Sequence, residues 1–138
     1  MRVVFDTNIF VSALIVPGSF AEEALTRVIE GADRLILSKP ILDELLGVLA
    51  RKFSRDREEL ARVAVWLEEF SEWVRTTQHL SIATDEADNR ILECACAGNA
   101  DVLVTGDKGL LRLGTFESIG IVTLRDYLSR RNDSGSHP

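Results

Sequence analysis

Four acidic residues, Asp6, Glu44, Asp88 and Asp107, sit where surface charge alone does not explain them. Asp6 closes the apolar run Val3-Val4-Phe5. Glu44 lies in about the second turn of a helix that follows Leu35-Ile36-Leu37. Asp88 is in the first turn of another helix, and Asp107 comes three residues after Val102-Leu103-Val104 ends. Carboxylates crowded together repel and are not all readily ionised. A divalent cation removes that cost. Mg²⁺ prefers hard oxygen ligands and keeps several waters. Such ions activate water and stabilise the leaving oxygen in phosphodiester cleavage. No histidine is placed to do this work instead: His79 falls in a loop or at a strand edge, and His137 in the tail.

Each acid also has a plainer explanation. First-turn acids complement the helix dipole, which suits Asp85 and Glu86 better than Asp88. Glu44 alone is an ordinary helix residue, although Ile41 and Val48 flank it and imply partial burial. An Asp after Gly, as at Asp107, is common turn chemistry. Asp6 is the hardest to dismiss, because a charge at the end of a buried strand is costly without partners. Thr7 and Asn8 can hold it by hydrogen bonds, and Thr105 can do the same for Asp107.

The elements that must position these acids are legible from apolar patterning. Val3 to Phe5, Leu35 to Leu37, Val102 to Val104 and Ile119 to Val122 read as buried parallel strands. Apolar sequence continues from Ile9 to Val16 and turns at Pro17-Gly18. Ser19 and Glu22 have capping-box spacing, opening a helix that stops near Gly31. Ser38 caps the next helix, with Pro40 tolerated in its first turn. A long third helix starts at Ser54 or Asp56 and runs to about Val74. Residues 75–83 have room for a short strand, and a helix from about Asp85 to Ala97 follows. Gly106-Asp107 turns into a short helix through Leu111, and Leu124 to Arg130 forms the last helix. Alternating strands and helices predict a single α/β domain over residues 1–131, with a mostly parallel sheet and helices on both faces. In such a sheet, strand ends and the starts of following helices share one rim, where ligands bind. Asp6, Glu44 and Asp107 fall on that rim. Asp88 joins them if its helix runs in the same sense as the other crossover helices.

The 138 residues fit one domain, and a polar, disordered tail is expected from Asn132 to Pro138. No apolar stretch approaches the ~20 residues of a membrane span, so a cytoplasmic protein with no membrane association is expected. Cys94 and Cys96 read as small reduced hydrophobes. The net charge of −6 argues against a broad basic surface for nucleic acid. A local basic run, Arg51, Lys52, Arg55 and Arg57, is the candidate for guiding nucleic acid to the acidic rim. Trp66 and Trp73, placed together on the third helix, suggest self-association as a homodimer.

Val3-Val4-Phe5-Asp6-Thr7-Asn8-Ile9-Phe10, the segment Ser38 to Leu49 with Glu44, Asp88-Asn89-Arg90-Ile91-Leu92-Glu93 and Val104-Thr105-Gly106-Asp107-Lys108 together resemble the PIN-domain family. The closest branch is that of the toxins of prokaryotic toxin–antitoxin pairs, and the resemblance runs from Arg2 to about Leu128. It implies a PIN-like sheet of about five parallel strands and Mg²⁺- or Mn²⁺-dependent cleavage of single-stranded RNA. It carries Asp6, Glu44, Asp88 and Asp107 over as the acidic quartet, with Asp6, Asp88 and Asp107 as metal ligands. Asn8 and Thr105 match supporting polar positions. The partners implied are an RNA substrate, an antitoxin protein and a second copy of the chain. Two other readings compete. One is a noncatalytic RNA-binding or assembly module of the same fold. The other is a Mg²⁺-binding phosphoacceptor domain, for which Lys108 is poorly placed and Glu44 has no use.

Overall fold

The apolar runs become adjacent strands because each is buried on both faces. In the computed structural model, consecutive residues of β1 (Arg2–Phe5), β2 (Arg34–Leu37) and β4 (Val102–Val104) alternate in direction, yet Val3, Val4, Leu35, Ile36, Leu37, Leu103 and Val104 are all fully buried. Helices must therefore cover both sides of the sheet. The structure describes residues 1–135, with side chains through Arg130; the last helix runs on to Gly135, past the expected end at Arg130, so the tail expected to be disordered from Asn132 starts as helix, and residues 136–138 lie outside the described residues.

Strand order is β3-β2-β1-β4-β6-β5, where β3 is Ser71–Trp73, β5 is Thr115–Phe116 and β6 is Ile119–Val122. The first five positions are parallel, and β5 adds a short antiparallel edge through Thr115↔Gly120 and Phe116↔Ile119. From β1 the chain moves outward to β2 and β3, then returns to β4 on the other side of β1. The β1/β4 border is thus the point where strand order reverses, and Phe5 pairs with Val104 there.

Two local expectations change, and one apolar stretch gains an element. The chain enters α1 (Thr7–Ile15) directly after Asp6, so the apolar stretch after β1 is helix. The third helix, α4 (Arg57–Phe70), ends earlier than Val74, and Ser71–Trp73 is edge strand β3. No strand forms in residues 75–83. Trp73 therefore leaves the helix that carries Trp66, although both side chains are exposed. The edge strand has no apolar run to announce it. Glu72 fixes it from outside, receiving hydrogen bonds from Arg2 Nη1 at 3.0 Å and Arg34 Nε at 3.4 Å.

Caps set the other boundaries. Ser19 Oγ accepts from Glu22 N at 3.1 Å at the start of α2 (Phe20–Ile29), while the Glu22 carboxylate turns to Gly18 N instead of closing the box. Asp56 and Glu59 form the full reciprocal box at α4. Ser38 occupies the N-cap of α3 (Lys39–Phe53), but its side chain makes no capping bond. The last helix, α7 (Leu124–Gly135), is pinned by Tyr127, whose hydroxyl donates to buried Asp33 at 2.6 Å.

Gly98 C-caps α5 (Glu86–Ala97) at a point with no room for a side chain. A Cβ there would come within 2.5 Å of Ile36 Cγ2 and 3.3 Å of the Cys94 carbonyl oxygen. The backbone at Gly98 has φ −91°, which any residue accepts, so only packing is at stake. Gly98→Ala is expected to destabilise by about 1–3 kcal/mol through overpacking. A lower urea midpoint with an unchanged slope checks this; a parental midpoint refutes it. Cys94 is buried and Cys96 half-buried, and both are free thiols. Among the described residues no single helix is long and apolar enough to cross a membrane.

Candidate active site

Asp6 stands at the reversal point, between strand and helix. Its backbone N–H continues the ladder to the Val104 carbonyl at 2.9 Å. Its side chain N-caps α1, accepting from Asn8 N at 3.3 Å. The other carboxylate oxygen accepts from the Thr105 hydroxyl at 2.6 Å. Thr105 is fully buried and also accepts from Asp107 N at 3.0 Å, so one hydroxyl ties the end of β1 to the turn after β4. Asp107 in turn accepts from Leu110 N at 2.9 Å and caps α6 (Lys108–Leu111). Thr105 thus serves Asp6 through its side chain. Asn8 serves it only through its backbone, its own side chain being exposed.

The two remaining acids arrive on helices. Glu44 lies half-buried in the second turn of α3, and Thr7 Oγ1 faces its Oε2 at a long 3.5 Å. Asp88 sits in the first turn of α5 and is 8 % exposed. It has no capping duty, because Asp85 holds that position through Ala87 N at 2.9 Å. Among the described residues the Asp88 carboxyl bonds only Asp107.

Electrostatics shows that these groups share one space. Burial pushes the Asp6 carboxyl up, Thr105 and Asn8 hold it down, and Asp107 pushes it up again. Glu44 is raised by burial, then by Asp6 and Asp85, with Thr7 and Arg51 opposing. Asp88 is raised to about 7, first by burial, then by the charges of Asp107, Asp6 and Asp85, and by its hydrogen bond to Asp107. The four predicted acids therefore do come together, and Asp85 makes a fifth. Its role as a cap was visible in sequence; its reach to Glu44 and Asp88 was not.

The donor set suits a hard divalent cation. It is all carboxylate oxygen, partly desolvated by burial and crowded with like charge, which a divalent cation would relieve. Among the described residues no three of these side chains are drawn tightly enough to form a finished metal cage. Asp6, Asp88 and Asp107 feel one another's charges, and Glu44 feels that of Asp6.

Three residues that follow Asp88 on α5 hold the loop beside the site, a role that sequence reasoning missed. Asn89 is fully buried; its Oδ1 accepts from Ile82 N at 3.0 Å and Ala83 N at 2.8 Å, and its Nδ2 donates to the Ala83 carbonyl at 3.0 Å. Glu93 accepts from Leu80 N at 2.7 Å, and Arg90 Nη2 donates to the Leu80 carbonyl at 3.2 Å and to Glu93 at 2.9 Å. Together they clamp residues 80–83 onto α5 and fix the approach to Asp85 and Asp88. The available signal was a run of polar residues on an otherwise apolar helix face. Of the basic run, Arg55 pairs with Glu59 at 3.0 Å. Arg51 folds back over Gly47, where a Cβ would meet its Nη1 at 2.8 Å, and bears on Glu44.

Known proteins resemble this chain in sequence and in shape. A PIN domain family model matches residues 2–109. An uncharacterized protein of Methanocaldococcus jannaschii is 28% identical over 117 residues, covering 82% of this chain and 75% of its own length. The crystal structure of VapBC2 from Rickettsia felis, bound to a DNA fragment from their promoter, contains a chain with a TM-score of 0.64 and 18% identity; the match covers 89% of this chain and 98% of that one. A chain of VapBC-1 from nontypeable Haemophilus influenzae aligns with a TM-score of 0.65 and 19% identity, over 91% and 99% of the two chains.

Proposed function

Since this chain belongs to the PIN domain family, we propose that it is a Mg²⁺- or Mn²⁺-dependent endoribonuclease cleaving single-stranded RNA, and the toxin of a toxin–antitoxin pair. The observation that carries the enzymatic reading is Asp88: a buried carboxyl with no capping duty, bonded among the described residues only to another acid and raised to about 7 by its surroundings. A fold does not keep such a group for stability, since burying it among like charges costs free energy. The toxin assignment is supported by the sequence resemblance and by the shared fold of chains from two VapBC assemblies.

In this reading Asp6, Asp88 and Asp107 hold the cation. When bound, a divalent ion supplies the positive charge that acidifies water and stabilises charge developing on the phosphate oxygens. The residues do the rest. Thr105 fixes the Asp6 carboxylate by its 2.6 Å bond and sets the Asp107 turn by accepting from Asp107 N, so the two strand ends keep one spacing. Asp88 gives up its proton as the site fills. Glu44, raised by burial and by Asp6, accepts a proton from the attacking water at its carboxylate. Asn89, Arg90 and Glu93 keep residues 80–83 in place while substrate binds.

A labelled single-stranded RNA incubated with pure protein tests this. Cleavage is expected with Mn²⁺ or Mg²⁺, none with chelator, and restoration on adding metal back. Cleavage that persists in excess chelator, or intact RNA under every metal condition, overturns the enzymatic reading.

A further inference from the structure

Beside Asp88 and Asp107 the surface opens into a cavity of about 360 Å³. Its walls come from two segments. The clamped loop contributes Ile82, Thr84 and Asp85, and the end of α6 contributes Gly109, Arg112 and Leu113. Small-molecule sites begin at roughly 300 Å³, so this volume suits one nucleotide and not a folded partner.

The chemistry of the walls is mixed in a particular way. Ile82 is 50 % exposed and Leu113 37 % exposed, so each segment leaves one large aliphatic side chain open beside the acids. Arg112 is exposed and makes no ion pair among the described residues, although Asp85, Asp88 and Asp107 line the same cavity. A guanidinium left unpaired beside three carboxylates stays available to an anion brought by a ligand. Its planar fork matches a phosphate. Two aliphatic side chains, a hydroxyl at Thr84 and a free guanidinium are groups that a splayed-out base with its phosphate can use.

We propose that this cavity is a nucleotide subsite, in which the base adjoining the scissile phosphodiester packs between Ile82 and Leu113 while Arg112 holds a flanking phosphate. The proposal rests on the ribonuclease reading above and adds to it the residues that set base preference and grip. None of the three is in the metal-holding set. All are exposed, so their substitution leaves the fold intact, which melting curves check.

The test uses the whole protein with Mn²⁺ and randomised single-stranded RNA, mapping product ends. Arg112→Gln is expected to raise KM about tenfold with kcat within about twofold, the size of a lost charge-assisted contact. It should also lower the dependence of affinity on salt by ~0.7, the share of one phosphate on a single strand. Arg112→Lys should restore the salt slope and only part of KM. Leu113→Ala and Ile82→Ala should flatten base preference at one position next to the cut. Parental KM and salt slope in Arg112→Gln, with an unchanged cut-site distribution in the aliphatic variants, overturn the subsite. A parent that leaves RNA intact overturns the ribonuclease reading instead. In that event fluorescence anisotropy of a labelled single-stranded RNA, parent against Arg112→Gln, still decides the subsite, and equal affinities reject it.

Discussion

Asp6→Asn is expected to lower RNA cleavage by roughly a hundredfold or more, and to leave the chelated protein as stable as its parent or slightly more so. The two halves of this result come from different atoms. Cleavage falls because an amide carries no charge for the cation at the strand-reversal point. Stability holds because the local bonds survive. Asn caps helices as well as Asp does, so its Oδ1 keeps the Asn8 N–H. The Thr105 hydroxyl, which donates to Asp6 at 2.6 Å, has two lone pairs and can turn to accept from the amide. What is gained is relief from burial and from the charge of Asp107, the two influences that push the Asp6 carboxyl upward. Asp6→Ala separates these effects: it loses the cap as well and should cost about 0.5–2 kcal/mol. The measurement is a set of melting curves in chelator and in excess Mn²⁺, with cleavage read alongside. Divalent metal should raise the parental melting temperature with concentration and raise that of Asp6→Asn much less. An Asn variant that melts early in chelator yet keeps cleavage and the full Mn²⁺ shift makes Asp6 a structural residue.

Much of this arrangement was open to inspection in the chain itself. Strands β1, β2, β4 and β6 are each buried on both faces, and such strands read as uninterrupted apolar runs. Once they are placed, Asp6 and Asp107 must end on one rim. What stayed hidden is what depends on partners distant in sequence. Ser71-Glu72-Trp73 has no strand pattern; it pairs with β2 because Arg2 and Arg34 meet Glu72 across the edge. The helix before it has neither Gly nor Pro at its end, so in the sequence its apolar stripe runs on to Val74. At the site, capping and metal-holding call for the same residue types in the same places. Asp6, Asp85 and Asp107 all cap helices here, so the plain explanation of each holds locally and says nothing about their convergence. Arg112 had no signal at all, since its meaning comes from a cavity that only the fold creates.

The metal-free protein is also expected to lose stability as pH rises from about 5 to 8, against the habit of proteins stabilised by paired carboxylates. The sign follows from Asp88. Its carboxyl stands at about 7 in the fold, raised first by burial and then by Asp107, Asp6 and Asp85, whereas an unfolded Asp titrates near 3.9. Between those values the native state keeps a proton that the unfolded chain has released. Stability then falls with rising pH across that window and levels off above it. Asp6 and Glu44 are raised in the same direction and add to the slope. Glu72, held low by Arg2, acts the opposite way, but only below the ordinary carboxylate range and so outside this window. A cation binds the ionised acids, so it competes with the proton. The Mn²⁺-induced rise in melting temperature should therefore be small at pH 5 and large at pH 8. Cleavage should climb with pH, with a midpoint that moves below 7 as Mn²⁺ is raised. Asp88→Asn serves as the reference, because every other ionisable side chain is common to both proteins. The parent should lose stability relative to Asp88→Asn as pH rises in chelator. Parallel curves from pH 5 to 8, with a Mn²⁺ shift equal at both ends, show that the acids do not act as one coupled cluster and that Asp88 does not belong to the cation's site.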